Sequence, residues 1–237
     1  MDADLRTRNH LLAELSDEEF ERIAPALELV SARSGDVIAR PGRMIDHAYF
    51  PLSGMASIVA LLSEGLGVEV ATIGNEGMVG LPIFLGGHST PFHMMWQLAS
   101  EALRIRAADL LGALAPDGRF PGVLTTYSQA FFVQTAQNAA CNGLHSIHQR
   151  AARWLLATHD RAEQTEFFLT HEFLAFMLGV RRQSVSLSVA ELANAGLIRY
   201  HRGHVSILDR ARLEAEACEC YQIIRAEFER LLGVGRA

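Results

Sequence analysis

Arg181, Arg182, Gln183, Ser184 and Ser186 stand close together, directly after Gly179 and Val180. A guanidinium fork can bond guanine at O6 and N7, a glutamine amide can bond adenine at N6 and N7, and short hydroxyls reach phosphates. Presented on one helix face, this set does nucleic-acid recognition rather than bond-making chemistry. The flanking residues supply such a helix. Thr170 can cap a first helix whose buried side is Phe173, Leu174, Met177 and Leu178. Gly179 supplies the left-handed turn, and Val180 anchors it. A second helix then starts at Arg181 with Val185, Val189 and Leu192 inward, which leaves Arg181, Arg182, Gln183, Ser186 and Leu187 outward. Gly196 stops it. Leu197–Tyr200 and Val205–Leu208 pair across HRGH, and Arg202 or His204 at that tip could touch the phosphate backbone. His201 and His204 have no matching Cys/His set around them and are expected in a surface turn, not on a metal.

The charge distribution suits one point of contact with DNA. The net charge of the 237 residues is −6. Residues 1–120 carry nine arginines against sixteen acids, whereas residues 181–204 carry four arginines and one glutamate. An acidic body with a local basic patch fits a protein that meets DNA at one place and excludes a general nucleic-acid coat. The absence of lysine leaves every strong cation as Arg, the better bidentate donor. No apolar run has the length of a membrane helix, and the start of the chain lacks a signal pattern, so a soluble cytoplasmic protein with no membrane partner is expected. Three cysteines are a poor disulfide framework.

The elements ahead of the reader are regular. Residues 5–29 have helical spacing, with a Ser16–Glu19 capping box and Pro25 at the end. From about Leu29 to Arg106 short β-type runs alternate with glycine turns: Val37–Ala39, His47–Pro51, Ala56–Leu61, Gly67–Ile73, Phe92–Leu98 and Ala102–Ile105. That pattern predicts an antiparallel barrel or jelly roll. A short helix at 107–115 and a turn at 117–122 follow. Val123–Asn142 is a long helix with Leu124, Tyr127, Phe131, Gln134, Asn138 and Cys141 at spacings of three and four, ended by Gly143. This seam fits packing on the chain's own barrel or a dimer contact, and its length favours the dimer. Residues 145–159 form an amphipathic helix, 160–166 a polar connector, and Arg210–Leu232 a final helix. Cys218 and Cys220, two apart on that helix, would point apart and pack rather than chelate. Glu76 is expected to face solvent without a role.

The motif LGVRRQSVSLSVAELANAGLI, the hairpin RGHVSILD, the turns Gly35–Asp36 and Pro41–Gly42, and YFPLSGMASI with Gly54 at its turn resemble the Crp/Fnr family of bacterial transcription regulators along nearly the whole chain. The resemblance implies an α+β protein: an N-terminal antiparallel β-roll (1–121), a dimerisation helix (122–143) and a C-terminal winged helix-turn-helix (144–237). It implies a homodimer on a near-palindromic operator in double-stranded DNA, with RNA polymerase as a further partner. Arg182 falls on the family's guanine-reading arginine and Ser184 on its phosphate-contacting Ser/Thr. Gln183 stands where the family often has Glu and Leu187 where it often has Arg, so a different operator preference is expected. Thr170, Arg181, Arg182, Gln183, Ser184, Ser186, Arg202 and His204 are the expected DNA contacts.

The sensing half departs further. Cyclic-nucleotide binders of the family use a Gly-Glu turn and then an Arg-Ser or Arg-Thr pair. Here Gly80 is followed by Leu81, and the stretch with Ser89 and Thr90 has no Arg. A buried cyclic phosphate without a cation is costly, so weak or no cyclic AMP binding is expected. The candidate effector region is Gly80, Leu81, His88, Ser89, Thr90 and His93, with Gln134 and Asn138 of the long helix. No cysteine precedes Cys141, so the family's iron–sulfur ligand cluster is absent. No metal or cofactor is expected. His88 and His93 could serve a haem or metal, but unligated histidines are the preferred reading. A regulator whose roll is only a scaffold, and a cyclic-nucleotide- or haem-responsive one, stay open. The competing class is a cupin-like metal enzyme. It needs His-x-His and Glu from neighbouring strands, and His47, His88 and His93 lack that spacing.

Overall fold

The computed structural model describes residues 3–62, 66–162 and 165–234. The chain opens with short helices α1 (Ala3–Thr7), α2 (His10–Ala13) and α3 (Asp17–Ile23), the last started by the Ser16–Glu19 capping box. Seven strands follow: β1 (Glu28–Ala32), β2 (Val37–Ala39), β3 (His47–Pro51), β4 (Ala56–Leu61), β5 (Gly67–Ile73), β6 (His93–Trp96) and β7 (Ser100–Arg106), with a four-residue helix α4 (Leu81–Phe84) between β5 and β6. They make two antiparallel sheets, ordered β1-β7-β3 and β2-β6-β4-β5. Alternating side chains fill the space between the sheets with Phe50, Ile58, Ile73, Met94, Trp96, Leu103 and Ile105. β4 is buried on both faces: Ile58 belongs to the roll core, while Val59 belongs to the core of the C-terminal reader.

After α5 (Ala107–Ala113) comes α6 (Arg119–Leu144), a 26-residue helix about 39 Å long. The expected turn at 117–122 is partly this helix's first turn. Pro121 sits where no intrahelical N–H is needed, so it starts the helix and does not block it. Gly143 does not break α6, which runs one residue further and ends at His145. The expected dimer seam is also corrected. Leu124, Tyr127, Gln134, Asn138 and Cys141 are buried inside a single chain. Gln134 and Asn138 face β5, where Gln134 Oε1 accepts the Thr72 amide at 2.9 Å and Asn138 Nδ2 donates to the Val70 carbonyl at 3.0 Å. The seam is a covering for the chain's own roll, and its two amides satisfy backbone groups of β5.

The reader follows: α7 (Ile147–His159), β8 (Glu166–Phe168), α8 (His171–Leu178), α9 (Arg182–Asn194), β9 (Ile198–His201), β10 (His204–Ile207) and α10 (Arg210–Glu216). Its sheet is ordered β8-β10-β9, and β8 starts on Glu166, the last residue of the stretch read as connector. The expected final helix is two. Ala217 turns extended, and α11 (Cys220–Leu232) leaves the reader to lie along α6, with Phe228 in the roll core. Cys218 and Cys220 therefore do not share a helix. No helix among the described residues is long and apolar enough to cross a membrane.

Candidate nucleic-acid interface and effector cavity

Thr170 caps α8 by accepting the Phe173 amide at 3.1 Å. Gly179 ends α8 at φ 63, ψ 38, a left-handed conformation that frees the next residues to start α9 in a new direction. Arg181 is the N-cap of α9, with its backbone extended and no side chain capping the helix. No side chain of Arg181 caps the first amides of α9, where the positive end of the helix dipole lies. Val185, Ser188, Val189 and Leu192 are buried, and Arg181, Arg182, Gln183 and Leu187 lie exposed on the other side. One helix end thus brings together two arginines and the glutamine that the spacing singled out.

The rest are more constrained. Arg182 Nε pairs with Glu172 of α8 at 2.7 Å, an exposed pair worth at most about 1 kcal/mol, so the guanidinium can be exchanged to another acceptor cheaply. Ser184 is half-buried. Ser186 is engaged within the protein: its hydroxyl meets His171 Nδ1 at 2.8 Å and joins the two helices. Burial, and then the charge of Arg182, hold His171 below the ordinary histidine range, which keeps the ring neutral. Tyr200 packs on that ring at 4.5 Å, a support that sequence spacing did not reveal because it lies on β9. The wing turns at Arg202 and Gly203, both at positive φ, which exposes Arg202 at the tip. His204 is held by Glu166 of β8 at 3.2 Å and by the Phe168 ring.

The candidate effector residues scatter. Gly80 takes φ 101 and starts α4, and a Cβ there would come within 3.1 Å of the Ala48 backbone. Leu81 is core. His88 and Ser89 are exposed, and Thr90 is buried with its hydroxyl accepting the Phe92 amide at 3.2 Å. His93 is half-buried, held low by burial and by Arg40. None of these six lines the cavity between the roll and the reader. Gln134 and Asn138 do line one, with Glu69, Glu76, Arg153 and Arg161, between β5, α6, α7 and α11. It offers about 90 Å³, room for a few waters and well short of the ~300 Å³ at which ligand pockets begin.

Glu76 overturns its expected role. It is buried, and Arg161 donates to it at 2.7 Å. Burial alone would raise its carboxyl, but the charge and hydrogen bonds of Arg161 and the Gly74 amide reverse this and hold it below the ordinary range. Glu69 is pushed up to about 7 by burial, against the pull of the Ser57 hydroxyl and Arg153. Arg153 also donates to Asn138 at 2.9 Å. The roll and the start of the reader are thus joined by a buried polar seam.

Comparison with known proteins agrees with this architecture. Residues 29–117 match the cyclic nucleotide-binding domain family, and residues 149–216 match the Crp-like helix-turn-helix domain family. The chain is 26% identical over 193 residues to the transcriptional regulator SdrP of Thermus thermophilus, covering 77% of this chain and 90% of that one. Among solved structures it is similar to a Crp/Fnr-family regulator from Eubacterium rectale (TM-score 0.69, 20% identity, 88% of this chain and 98% of that chain). It is equally similar to FixK2 from Bradyrhizobium japonicum (TM-score 0.69, 18% identity, 81% and 98%). With the β-roll, the long helix and the helix-turn-helix in this order, the chain belongs to the Crp/Fnr family of transcription regulators.

Proposed function

We propose that the chain is a homodimeric, sequence-specific DNA-binding regulator whose roll answers a signal other than cyclic AMP or serves as a scaffold. The observation that carries the reading is the uncapped start of α9, with Arg181, Arg182 and Gln183 exposed around it. In this reading α9 enters the major groove, Arg182 leaves Glu172 for a guanine edge, Gln183 meets an adjacent base, and the open amides hold a phosphate. Arg202 adds a backbone contact from the wing. Ser184 and His204 serve phosphates, and Thr170 and Ser186 act by positioning the two helices. Leu187, exposed beside the arginines, suits a thymine methyl.

The exposed face of α6 supports the dimer. Thr125, Gln129, Phe132, Ala136, Ala139 and Gly143 lie outward at spacings of three and four, opposite the face that covers the roll. Small residues around Phe132 let a second α6 approach closely, and this stripe replaces the inward seam as the proposed dimer contact. The lack of any arginine in residues 80–93 and the burial of Leu81 support the exclusion of cyclic AMP. RNA polymerase is the proposed protein partner, and the cytoplasm the proposed place of action.

Selection of bound sites from random DNA by gel shift tests the reading. A near-palindrome is expected, with half-sites about 34 Å or one DNA turn apart. Recovery of no such site, or a monomer in solution, would sink it. Arg182→Ala should cost about 1–3 kcal/mol at one base pair and relax specificity there. Equal weakening on all sequences would move Arg182 to a phosphate.

A further inference from the structure

The end of α6 and the break between α10 and α11 bring four metal-ligating side chains to one point. Cys141 lies on the last turn of α6, His145 is that helix's C-cap, Cys218 lies in the break, and Cys220 opens α11. All three sulfurs belong to buried residues. Cys141 Sγ is 3.5 Å from Cys218 Sγ, Cys220 Sγ is 3.5 Å from His145 Nδ1, and the four donor atoms all lie within 4.8 Å of one another.

We propose that Cys141, His145, Cys218 and Cys220 bind one zinc ion as a closed Cys3His site. A tetrahedron with Zn–S near 2.3 Å and Zn–N near 2.0–2.1 Å places its ligand atoms about 3.5–3.8 Å apart. The two short pairs already stand at that spacing, and the wider ones close by small side-chain rotations. The donors are three thiolates and an imidazole, a set that selects zinc over oxygen-loving cations. A multi-iron cluster is excluded on size, because it has to fit between ligand sulfurs that here almost touch.

The surroundings are those of a ligand shell. His145 Nε2, the nitrogen turned away from the cysteines, meets the Glu219 carboxylate at 3.2 Å. A carboxylate there fixes the tautomer that leaves Nδ1 free for a metal. Gln137 Nε2 donates to Cys220 Sγ at 3.1 Å, a bond that supports a thiolate. Three thiolates and one zinc carry a net negative charge. Arg150 and Arg153 are buried on the adjacent turns of α7, and the Nε of each has no partner among the described residues.

The position gives the ion a task. His145 is followed by Ser146, the N-cap of α7, so the site sits at the joint between the long helix and the reader. Its other two ligands come from the segment where the chain leaves the reader to return along α6. One ion would clamp both crossings and hold the reader at a set angle to the long helix.

The test is metal analysis of full-length protein purified without chelators, with cobalt titration of reduced, zinc-stripped protein. One zinc per chain and a tetrahedral cobalt–thiolate spectrum are expected. Cys218→Ser with Cys220→Ser should remove both. Glu219→Gln, which keeps every ligand and is a mild surface change, should weaken zinc binding roughly 10–100-fold. Stripping the zinc from wild-type protein should lower its melting temperature, and returning zinc should restore it. Three results would overturn the proposal. They are metal-free protein that gives no cobalt spectrum, stoichiometric iron with acid-labile sulfide, and full zinc content in the double serine variant.

Discussion

Replacing Arg161 by Met isolates the buried seam between roll and reader. Met keeps the length of the stem and removes the charge. The side chains of Arg161 and Glu76 are 14% and 7% exposed, so the pair is largely shielded from bulk water. Removing one member of a buried pair costs about 3–5 kcal/mol, and the amide that Gly74 still donates to Glu76 places this case near 3. For a chain of this size that is a fall in melting temperature of roughly 6–12 °C. The pH dependence carries the diagnosis. In the wild type the Glu76 carboxyl is held below its unfolded value, so its contribution is present above the unfolded value and fades as pH falls through the folded one. In the variant burial is opposed only by the backbone amides that remain and raises the carboxyl, so protonation relieves it. The deficit between the two proteins should therefore be largest near pH 7 and shrink toward pH 5. Adding Glu76→Gln to Arg161→Met should recover part of the loss at pH 7. Thermal melts of the three proteins at both pH values decide it. A deficit under about 1 kcal/mol, or one that does not change with pH, refutes the role assigned to the pair.

Gly179→Ala forces a Cβ into left-handed backbone and to 3.1 Å from Val68 of β5, and should cost about 1–2 kcal/mol in urea unfolding. An unchanged midpoint would remove the argument for that glycine. Phe132→Glu places a charge on the exposed stripe of α6 and should convert a dimer to a monomer in light scattering, with loss of palindrome binding. A persistent dimer would mean that another face pairs. Calorimetric titration with cyclic AMP should show no binding, and a micromolar affinity would falsify the reading of the 80–93 loop.

Much of the fold was legible because it is written locally. Glycine turns and alternation marked six of the seven strands of the roll, four of them to the residue, and the Ser16 and Thr170 caps were plain from residue type. The misses share a cause. β1, as Glu28–Ala32, is half-exposed and owes its existence to pairing with β7, far along the chain at Ser100–Arg104. α4 and β8 are too short to show a period. The split of the last helix at Ala217 could not be told from a continuous apolar pattern, because both halves keep an amphipathic face. At the candidate interface the outward set at Arg181–Gln183 was visible from the spacing of Val185, Val189 and Leu192. The tie from Ser186 to His171, and the packing of Tyr200 on that ring, were not, since they join separate elements.

The chain by itself determined the parts that depend on neighbours in sequence. These are the turn at Gly179, the outward residues of α9, the hairpin behind it, and the existence of a long helix with one apolar stripe. Periodicity says that such a stripe must be covered, but not by what. Only the packed structure decided that the roll covers it and that a second, smaller-residue face stays open. In the same way it buried Glu76 against Arg161, 85 residues on, and gathered Cys141 and His145 with Cys218 and Cys220. A side chain's charge state and ligands depend on what surrounds it in space, and over such separations that is set by packing rather than by local pattern.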